Sequence, residues 1–390
     1  MRVRSIDIIR GFAVLGLLYM NVAFHFSLLT GYVPFDPPLF SDQVLFVLQG
    51  WFADSRFRSL FCLMFGVGVA ILYERAQWKG YQTDVFLKSR FFWLLMFGFI
   101  HAIFIFGGDI LTLYSICGFI LINQLNKSQP ALLMRSLILL VVGSSIGLVF
   151  GFLDVFMTAP EDAITRNSAA FATKFGYVSD GYLSLVASNV FLASILITVG
   201  MFSVAWQLLG IMLFGTYLYR EGFFHRGFSK VQFRGLLLIA VAASLLTTVP
   251  FLYFETLNFS ATPLFASVSG FFVALVYAHI GVKLMQTHNW FVNTLENCGR
   301  IALSLYILQS LSMLVLFKVI LPVLVPNYHM QFSLADHMGI AVIGVLVQMV
   351  IANWYAQHNR KGPLESLWRV LYMQRYEKKI ALQNVVHPAI

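Results

Sequence analysis

The stretch from His101 to Tyr114 combines two ionisable side chains with a pair of glycines, and it lies between two apolar runs. Gly107 and Gly108 interrupt the helical pattern, and non-helical backbone at membrane depth is tolerated where it lines a cavity. Asp109 follows at the start of the next apolar run, where the positive end of a helix dipole favours a carboxylate. A histidine is a base near neutral pH, and an aspartate can orient it. His101 and Asp109 are therefore the candidate catalytic residues, and Tyr114 is a candidate substrate-binding residue.

A structural explanation of the same residues stays open. The eight positions between His101 and Asp109 correspond to about 12 Å along an unbroken helix, so a direct contact requires the chain to fold back at the glycines. Otherwise His101 is a hydrogen-bonded packing residue between helices, and Asp109 only caps a helix.

A polar stripe runs along the first apolar segment. Asp7 and Arg10 are three positions apart, which is close enough to pair on a helix, and Asn21 follows in phase. The stripe is predicted to face the interior of a bundle. It either binds substrate or consists of structural pairs.

Other charged and polar residues lie in or beside apolar segments, where a charge costs roughly 2.5–3.5 kcal/mol on insertion scales. Arg56 and Arg58 enter the second predicted helix from its outer side, and an acidic partner or an anionic ligand would offset that cost. Arg300 and Gln309 share a later helix. We predict that these four residues take part in substrate binding.

The elements that must position these residues are transmembrane helices. The chain is 59% hydrophobic and 11% charged, whereas soluble proteins carry about 25% charged residues. The predicted fold is an all-α, polytopic transmembrane helix bundle of about ten helices with both termini in the cytoplasm. It forms a single membrane domain over 1–390, with N-terminal helices in 1–230 and C-terminal helices in 231–390. The predicted spans are roughly 6–28, 58–74, 91–107, 109–124, 134–153, 198–219, 235–254, 263–284, 299–321 and 338–357.

Two further apolar segments are ambiguous. Residues 43–52 are too short to span and lead into the second helix or lie at the interface. Residues 186–197 are either a separate segment or the start of one long helix from about 187 to 219.

The distribution of charge predicts the orientation. Most of the 26 lysines and arginines fall on the predicted cytoplasmic side, as the positive-inside rule requires. The exceptions on the outer side are Arg56, Arg58, Arg166, Lys174 and Lys318. Membrane lipid is therefore the expected partner of the net charge of +9, and a nucleic-acid partner is excluded because no basic stripe is interleaved with aromatic residues.

Several chemistries lack their motifs. The sequence has no phosphate-binding loop of the Walker type, no dinucleotide fingerprint and no metalloprotease helix motif. His329, Asp336 and His337 cluster near the last predicted span, but their spacing matches no familiar zinc site. We therefore expect no metal.

Four pieces of the sequence resemble the YeiB family of bacterial inner-membrane proteins. They occur in the family's order and are spread over nearly the full length. The matching pieces are the opening from Ser5 to Asn21, the motif from Ser59 to Gly68, the central signature from Gly98 to Tyr114, and the C-terminal domain of unknown function with Gly299 to Gln309 and Gly362 to Arg369.

The resemblance implies a location in the bacterial inner membrane and a relation to transmembrane acyltransferases. Those enzymes take an acyl group from cytoplasmic acyl-CoA, such as acetyl-CoA, and deliver it to an acceptor that is often a sugar. The shared feature is the Asp-x-x-Arg-Gly opening, here Asp7 to Gly11. Where many O-acyltransferases carry a histidine near the end of the first helix, this chain has Asn21, with His25 one turn on.

Three functions are consistent with these residues. In an acyltransferase, His101 would deprotonate the acceptor and Arg10 would hold the phosphates of the CoA donor. The alternatives are a proton-coupled transporter of a small or lipid-like substrate, in which the broken helix lines the path, and a non-catalytic membrane component.

Overall fold

The computed structural model describes residues 3–28, 31–157, 165–166, 168, 171, 181–253, 262–359 and 361–386, and within these ranges every regular element is helical. Of these described residues 84% are helical, which confirms the predicted all-α bundle. The main helices are α1 Arg4–Phe26, α2 Phe40–Phe52, α3 Arg56–Trp78, α4 Thr83–Phe104, α5 Leu111–Ile122, α6 Gln129–Met157, α7 Tyr182–Phe202, α8 Val204–Arg220, α9 Lys230–Tyr253, α10 Thr262–Lys283, α11 Trp290–Arg300, α12 Ala302–Val315, α13 Leu334–His358 and α14 Pro363–Val386.

Eight helical segments in the described ranges are long and apolar enough to cross a membrane. A bilayer with a hydrocarbon core of about 30 Å requires about 20 such residues, so the chain is a membrane protein. The count of about ten spans and the cytoplasmic location of the termini stay predictions.

Helix α1 is the centre of the bundle. It packs against α3, α10, α11, α12 and α13. Its apolar residues face neighbours all round, and 72% of its most apolar window is buried inside the protein. Helices from both halves of the sequence therefore share one core around the first helix.

Two predicted segments are divided differently in the structure. The long helix considered from 187 to 219 is broken at Ser203, so that α7 and α8 are separate helices. Similarly, Ile301 separates α11 from α12 inside the predicted span 299–321. In both cases the apolar pattern continues through the break, which explains why the sequence does not mark it.

Lysines and arginines gather at one end of the bundle, called the basic face. Arg4 Nη1 donates to the Thr287 carbonyl at 2.8 Å, and Arg220 Nη2 donates to the Leu125 carbonyl at 2.6 Å. Trp368 of α14 also lies there, because its indole Nε1 donates to the Arg90 carbonyl at 3.0 Å. Segments predicted to share the cytoplasmic side are thus brought together by direct contacts.

Helix α3 begins inside the bundle, and helix α5 is too short to cross it. Phe57, in the first turn of α3, packs against Gly16 near the middle of α1, and its ring lies 5.3 Å from that of Phe12. Helix α5 has 12 residues and is therefore about 18 Å long, much shorter than a bilayer core. The turn between α4 and α5 consequently lies deep in the protein.

Candidate functional site

His101 and Asp109 are in direct contact. His101 Nδ1 lies 2.9 Å from Asp109 Oδ1, and each side chain is only 1% exposed. The chain folds back as required, because α4 ends at Phe104 and the Phe106 amide donates to the His101 carbonyl at 2.8 Å. The turn that follows returns Asp109 to the histidine that precedes it.

Asp109 accepts three hydrogen bonds from two residues besides the histidine. Its Oδ2 accepts from the Thr112 amide and from the Thr112 hydroxyl, both at 2.8 Å. Its Oδ1 also accepts from the Tyr306 hydroxyl at 3.1 Å. A carboxylate surrounded by donors acts as an acceptor only. Asp109 therefore favours the tautomer of His101 that carries its proton on Nδ1.

The other ring nitrogen of His101 is left for chemistry. Nε2 is buried, and no atom of the described residues forms a hydrogen bond with it. With the proton on Nδ1, the Nε2 lone pair is the basic position of the ring. A buried polar atom without a partner costs about 1–3 kcal/mol, so a bound hydroxyl or amine at Nε2 would recover that energy.

Aromatic rings enclose this histidine. The His101 and Tyr306 ring centroids are 5.0 Å apart, and those of His101 and Phe106 are 6.2 Å apart. Phe106 in turn packs against His25 at 4.0 Å. His25 and Tyr306 are the site residues that our sequence-based selection omitted. His25 carried a weak signal as a histidine one turn beyond Asn21, and Tyr306 carried one only as part of the matching piece from Gly299 to Gln309.

The turn between α4 and α5 is held by α7. Asn189 Oδ1 accepts from the Gly107 amide at 3.2 Å, and its Nδ2 donates to the Ile103 carbonyl at 3.3 Å. Gly98 is needed on the other side, since a methyl group there would lie 2.6 Å from the Thr112 hydroxyl oxygen. Close approach of α4 and α5 thus depends on a glycine, and the shape of the turn depends on one asparagine.

Tyr114 connects α5 to the start of α3. Its hydroxyl donates to the Arg58 carbonyl at 3.0 Å, and its ring stacks on Phe61 at 6.0 Å. It is also close enough to Tyr306 for the two side chains to interact electrostatically. Tyr114 therefore supports the site from the α3 side.

The two arginines of α3 differ in their surroundings. The guanidinium of Arg56 is fully buried and donates only to neutral acceptors: the carbonyls of Trp51, Asp54 and Ala266 and the hydroxyls of Ser244 and Ser269. Among the described residues, the guanidinium of Arg58 donates only to the Ser55 hydroxyl, at 3.3 Å. Arg56 thus joins helices, whereas Arg58 keeps donors available.

The polar stripe of α1 does not converge on the dyad. Asp7 and Arg10 pair at 3.4 Å near the basic face, and the Arg10 side chain is 29% exposed. Asn21 lies nearly three turns further on and is partly exposed. The stripe instead extends along α1 from the basic face past the level of Gly16.

Arg300 and Gln309 occupy different places. Arg300 forms a short ion pair with Glu296 at the basic face, where Arg4 binds the same carboxylate at 2.8 Å. Gln309 lies deeper and donates from Nε2 to the Val14 carbonyl at 3.3 Å, while its Oε1 has no partner among the described residues. Gln309 shares α12 with Tyr306, so it is the member of this pair that belongs to the interior.

The C-terminal motif is explained by helix capping. Glu365 Oε1 accepts from the amides of Leu303 and Ser304 at 2.8 and 3.1 Å, and its Oε2 pairs with the Ser304 hydroxyl. A side chain at Gly362 would overlap this carboxylate. These residues therefore fasten α14 to the start of α12 and lie away from the dyad.

The histidine cluster near α13 also has a structural role. Asp336 forms a capping box with Ser333 at the start of α13, and His337 Nδ1 lies 2.7 Å from the Ser333 carbonyl oxygen. Within the described ranges, no group of three or more histidine, cysteine, aspartate or glutamate residues could hold a metal ion.

Comparison with known proteins finds a family model and several relatives that are similar to this chain. Residues 218–375 match the family described as proteins of unknown function, DUF418. The chain is 25% identical to the uncharacterized protein YeiB of Escherichia coli (strain K12), over 95% of this chain and 96% of the relative. It is 26% identical to the uncharacterized protein YxaH of Bacillus subtilis (strain 168), over 94% and 93%. No solved structure matches the chain. The predicted resemblance is confirmed: residues 218–375 match the DUF418 family model, and the chain is similar to YeiB along nearly its whole length.

Proposed function

We propose that the protein is a membrane-bound acyltransferase of the bacterial inner membrane that moves an acyl group from cytoplasmic acyl-CoA to a hydroxyl or amine, such as that of a sugar. The observation that carries the proposal is the His101–Asp109 dyad, with Nδ1 held by the carboxylate at 2.9 Å and Nε2 buried and unpaired. A positioned base contributes typically 10²–10⁴-fold to the rate of such a transfer.

The reaction assigns each proton to a named atom. His101 Nε2 takes the proton from the acceptor as the acceptor oxygen or nitrogen attacks the thioester carbonyl carbon. The tetrahedral intermediate collapses, the carbon–sulfur bond breaks, and the departing thiolate takes the proton from Nε2. Asp109 stabilises the imidazolium in between, because its Oδ1 lies against Nδ1. The Tyr306 hydroxyl keeps that carboxylate in place.

The donor would approach from the basic face. Arg10 is partly exposed there, and its guanidinium is held only by Asp7 at 3.4 Å, so most of its donors can reach a phosphate. The dyad lies deeper, above the 12 residues of α5. The acyl end of the donor therefore has to extend from Arg10 into the bundle interior, and Arg10 acts as a binding residue only.

The experiment measures acetyl-CoA binding and CoA release by the purified full-length protein in lipid nanodiscs. Calorimetry with acetyl-CoA should give micromolar binding that Arg10→Ala weakens and His101→Gln retains. In the presence of a panel of sugar acceptors, His101→Gln should abolish thiol release. His279→Gln is the matched control, since His279 is also a buried histidine, and its Nδ1 accepts a hydrogen bond from the Phe228 amide at 3.0 Å. If the wild type binds no acyl-CoA, the enzyme proposal is wrong.

One observation favours the transporter as second candidate. Helices that begin inside a bilayer are typical of substrate sites in secondary transporters, and α3 begins near the level of the middle of α1, where Phe57 packs against Gly16. Proton uptake by proteoliposomes that requires His101 and proceeds without acyl-CoA would favour this function over acyl transfer.

A further inference from the structure

Three helices begin together in the interior, beside the dyad. Helices α3 and α5 both run parallel to α8. Cys62 Sγ lies 3.2 Å from the Leu208 carbonyl oxygen, and further along the same pair the Thr216 hydroxyl donates to the Gly66 carbonyl at 3.2 Å. Cys117 Sγ lies 3.7 Å from the Ala205 carbonyl oxygen, and further along that pair Arg220 donates to the Leu125 carbonyl at 2.6 Å. Tyr114 joins the first turns of α5 and α3. The N-termini of α3, α5 and α8 therefore point their positive dipole ends to the same side of the interior.

Arg58 adds a full positive charge at this position. It lies in the first turn of α3, is partly buried, and has one hydrogen bond among the described residues, to Ser55. The carboxylate that acts on it electrostatically is Asp54, which is not within ion-pair distance and is itself bound by Gln49 Nε2 at 3.1 Å. Most of the donors of this arginine are therefore free.

Arg56 lies in the same turn of α3, and the protein provides hydrogen-bond acceptors for its whole guanidinium. All three of its nitrogens donate to carbonyls or hydroxyls, and the residue is 0% exposed. Two arginines two positions apart thus differ, one saturated by the protein and one not. Because a charge in the membrane interior is costly, an anion bound at Arg58 would offset a cost that no ion pair with a described residue offsets.

The unpaired nitrogen of His101 is a second position at which a ligand of Arg58 can bind. The backbone carbonyl of Arg58 accepts from the Tyr114 hydroxyl, and Tyr114 lies in the first turn of α5, directly after Asp109, to which Tyr306 donates. His101 Nε2 is the buried atom of this cluster that lacks a partner. A single ligand could therefore be held at one point by Arg58 and react at another with Nε2.

We infer that the acceptor is anionic, and that Arg58 binds its carboxylate or phosphate group. The inference rests on the proposed function in that His101 acts on this same molecule. An arginine fork matches either anion through two parallel hydrogen bonds. Lipid headgroups and soluble sugar acids both carry such groups, so the experiment separates the two sources.

The test is ligand binding by the full-length protein, without any acyl donor. Calorimetric titrations use inorganic phosphate and the pair glucuronate and glucose, which differ by one carboxylate. Phosphatidylglycerol is offered in phosphatidylcholine nanodiscs, and its retention is measured by native mass spectrometry. We expect the wild type to bind at least one anionic probe and not glucose, and Arg58→Gln to bind it about tenfold more weakly or worse.

Two variants make the result specific. Arg234→Gln removes an exposed arginine of α9 and should leave binding unchanged. Arg58→Lys keeps the positive charge but loses the forked donor geometry of arginine, so it should weaken binding less than Arg58→Gln does. The lysine variant also tests the inference if the glutamine variant fails to fold. Equal binding by wild type and Arg58→Gln, or no binding of any anion by the wild type, overturns the inference. Since no acyl donor is present, this result is independent of whether acyl transfer occurs.

Discussion

Gly11 of α1 and Gly299 of α11 face each other at the point where these helices cross. A methyl group on Gly299 would overlap the Asp7 carbonyl oxygen, and one on Gly11 would overlap that of Leu295. The two backbones therefore touch directly, as small residues allow in membrane helices. This crossing fixes the first helix against the C-terminal part of the chain.

Gly299→Ala should destabilise the protein by about 1–3 kcal/mol, because the added methyl group has only backbone to displace. The measurement is the thermal unfolding midpoint of detergent-purified protein. Gly339→Ala in α13 is the control, since a methyl group there has nothing within 4 Å and alanine favours the helix. An unchanged midpoint for Gly299→Ala would contradict the crossing.

Asp109→Asn should lower the rate of acyl transfer by roughly 10²–10⁴-fold with little change in acetyl-CoA affinity. The amide no longer fixes the proton on Nδ1 of His101, and it no longer stabilises the imidazolium. Steady-state release of CoA measures this. Asp336→Asn, which alters an exposed helix cap at α13, should retain the wild-type rate. A full rate in Asp109→Asn would exclude the dyad from the reaction.

Glu365→Ala should detach α14 from the bundle. The variant leaves the amides of Leu303 and Ser304 without their acceptor, at a cost of about 1–3 kcal/mol. Limited proteolysis should then cut within α14 before any other part of the protein. Glu377→Ala, an exposed position on the same helix, should be as resistant as the wild type.

The basic face should lose stability in acid through Glu296, which lies in α11 outside the spanning segments. Burial by itself would raise the pKa of this carboxyl, but Arg4 and Arg300 outweigh it and hold the pKa below its ordinary value of 4.5. Because the pKa of Glu296 is lower in the folded protein than in the unfolded chain, the charged carboxylate contributes fully to stability above pH 4.5. This contribution is lost as the pH falls through the pKa that Glu296 has in the folded protein.

Unfolding midpoints of wild type and Glu296→Gln at several pH values test this. The advantage of the wild type should be constant near pH 7 and should shrink progressively below about pH 4.5. A difference that does not depend on pH would show that the carboxyl charge is not what stabilises the face.

Part of the site was predictable and part was not. The glycine pair after His101 indicated a break, and Asp109 was expected at a helix start, so local sequence was sufficient for the dyad residues. Their contact depended on Asn189 shaping the turn from another helix. Tyr306 comes from 197 positions away, and periodicity says nothing about which helices become neighbours at that separation.

The arginines illustrate the same limit. The sequence places Arg56 and Arg58 in a membrane helix, where a charge costs free energy unless it has a partner. Both residues were therefore equal candidates for ligand binding. Only the packing distinguishes them, because Ser244 and Ser269 lie on α9 and α10 and satisfy Arg56 alone. The overall bundle was easier to predict, since lipid solvent requires apolar runs whose length is fixed by the bilayer.

The central position of α1 has a consequence for biogenesis. Arg4 bonds to Glu296, 292 positions later, so α1 packs against a helix that is synthesised much later than α1 itself. During synthesis α1 must wait in the membrane, with the glycine surface around Gly11 facing lipid or the insertion machinery, until α11 emerges. A nascent chain that stops before Trp290 would therefore hold its helices inserted but not assembled, and quality-control proteases would meet it in that form.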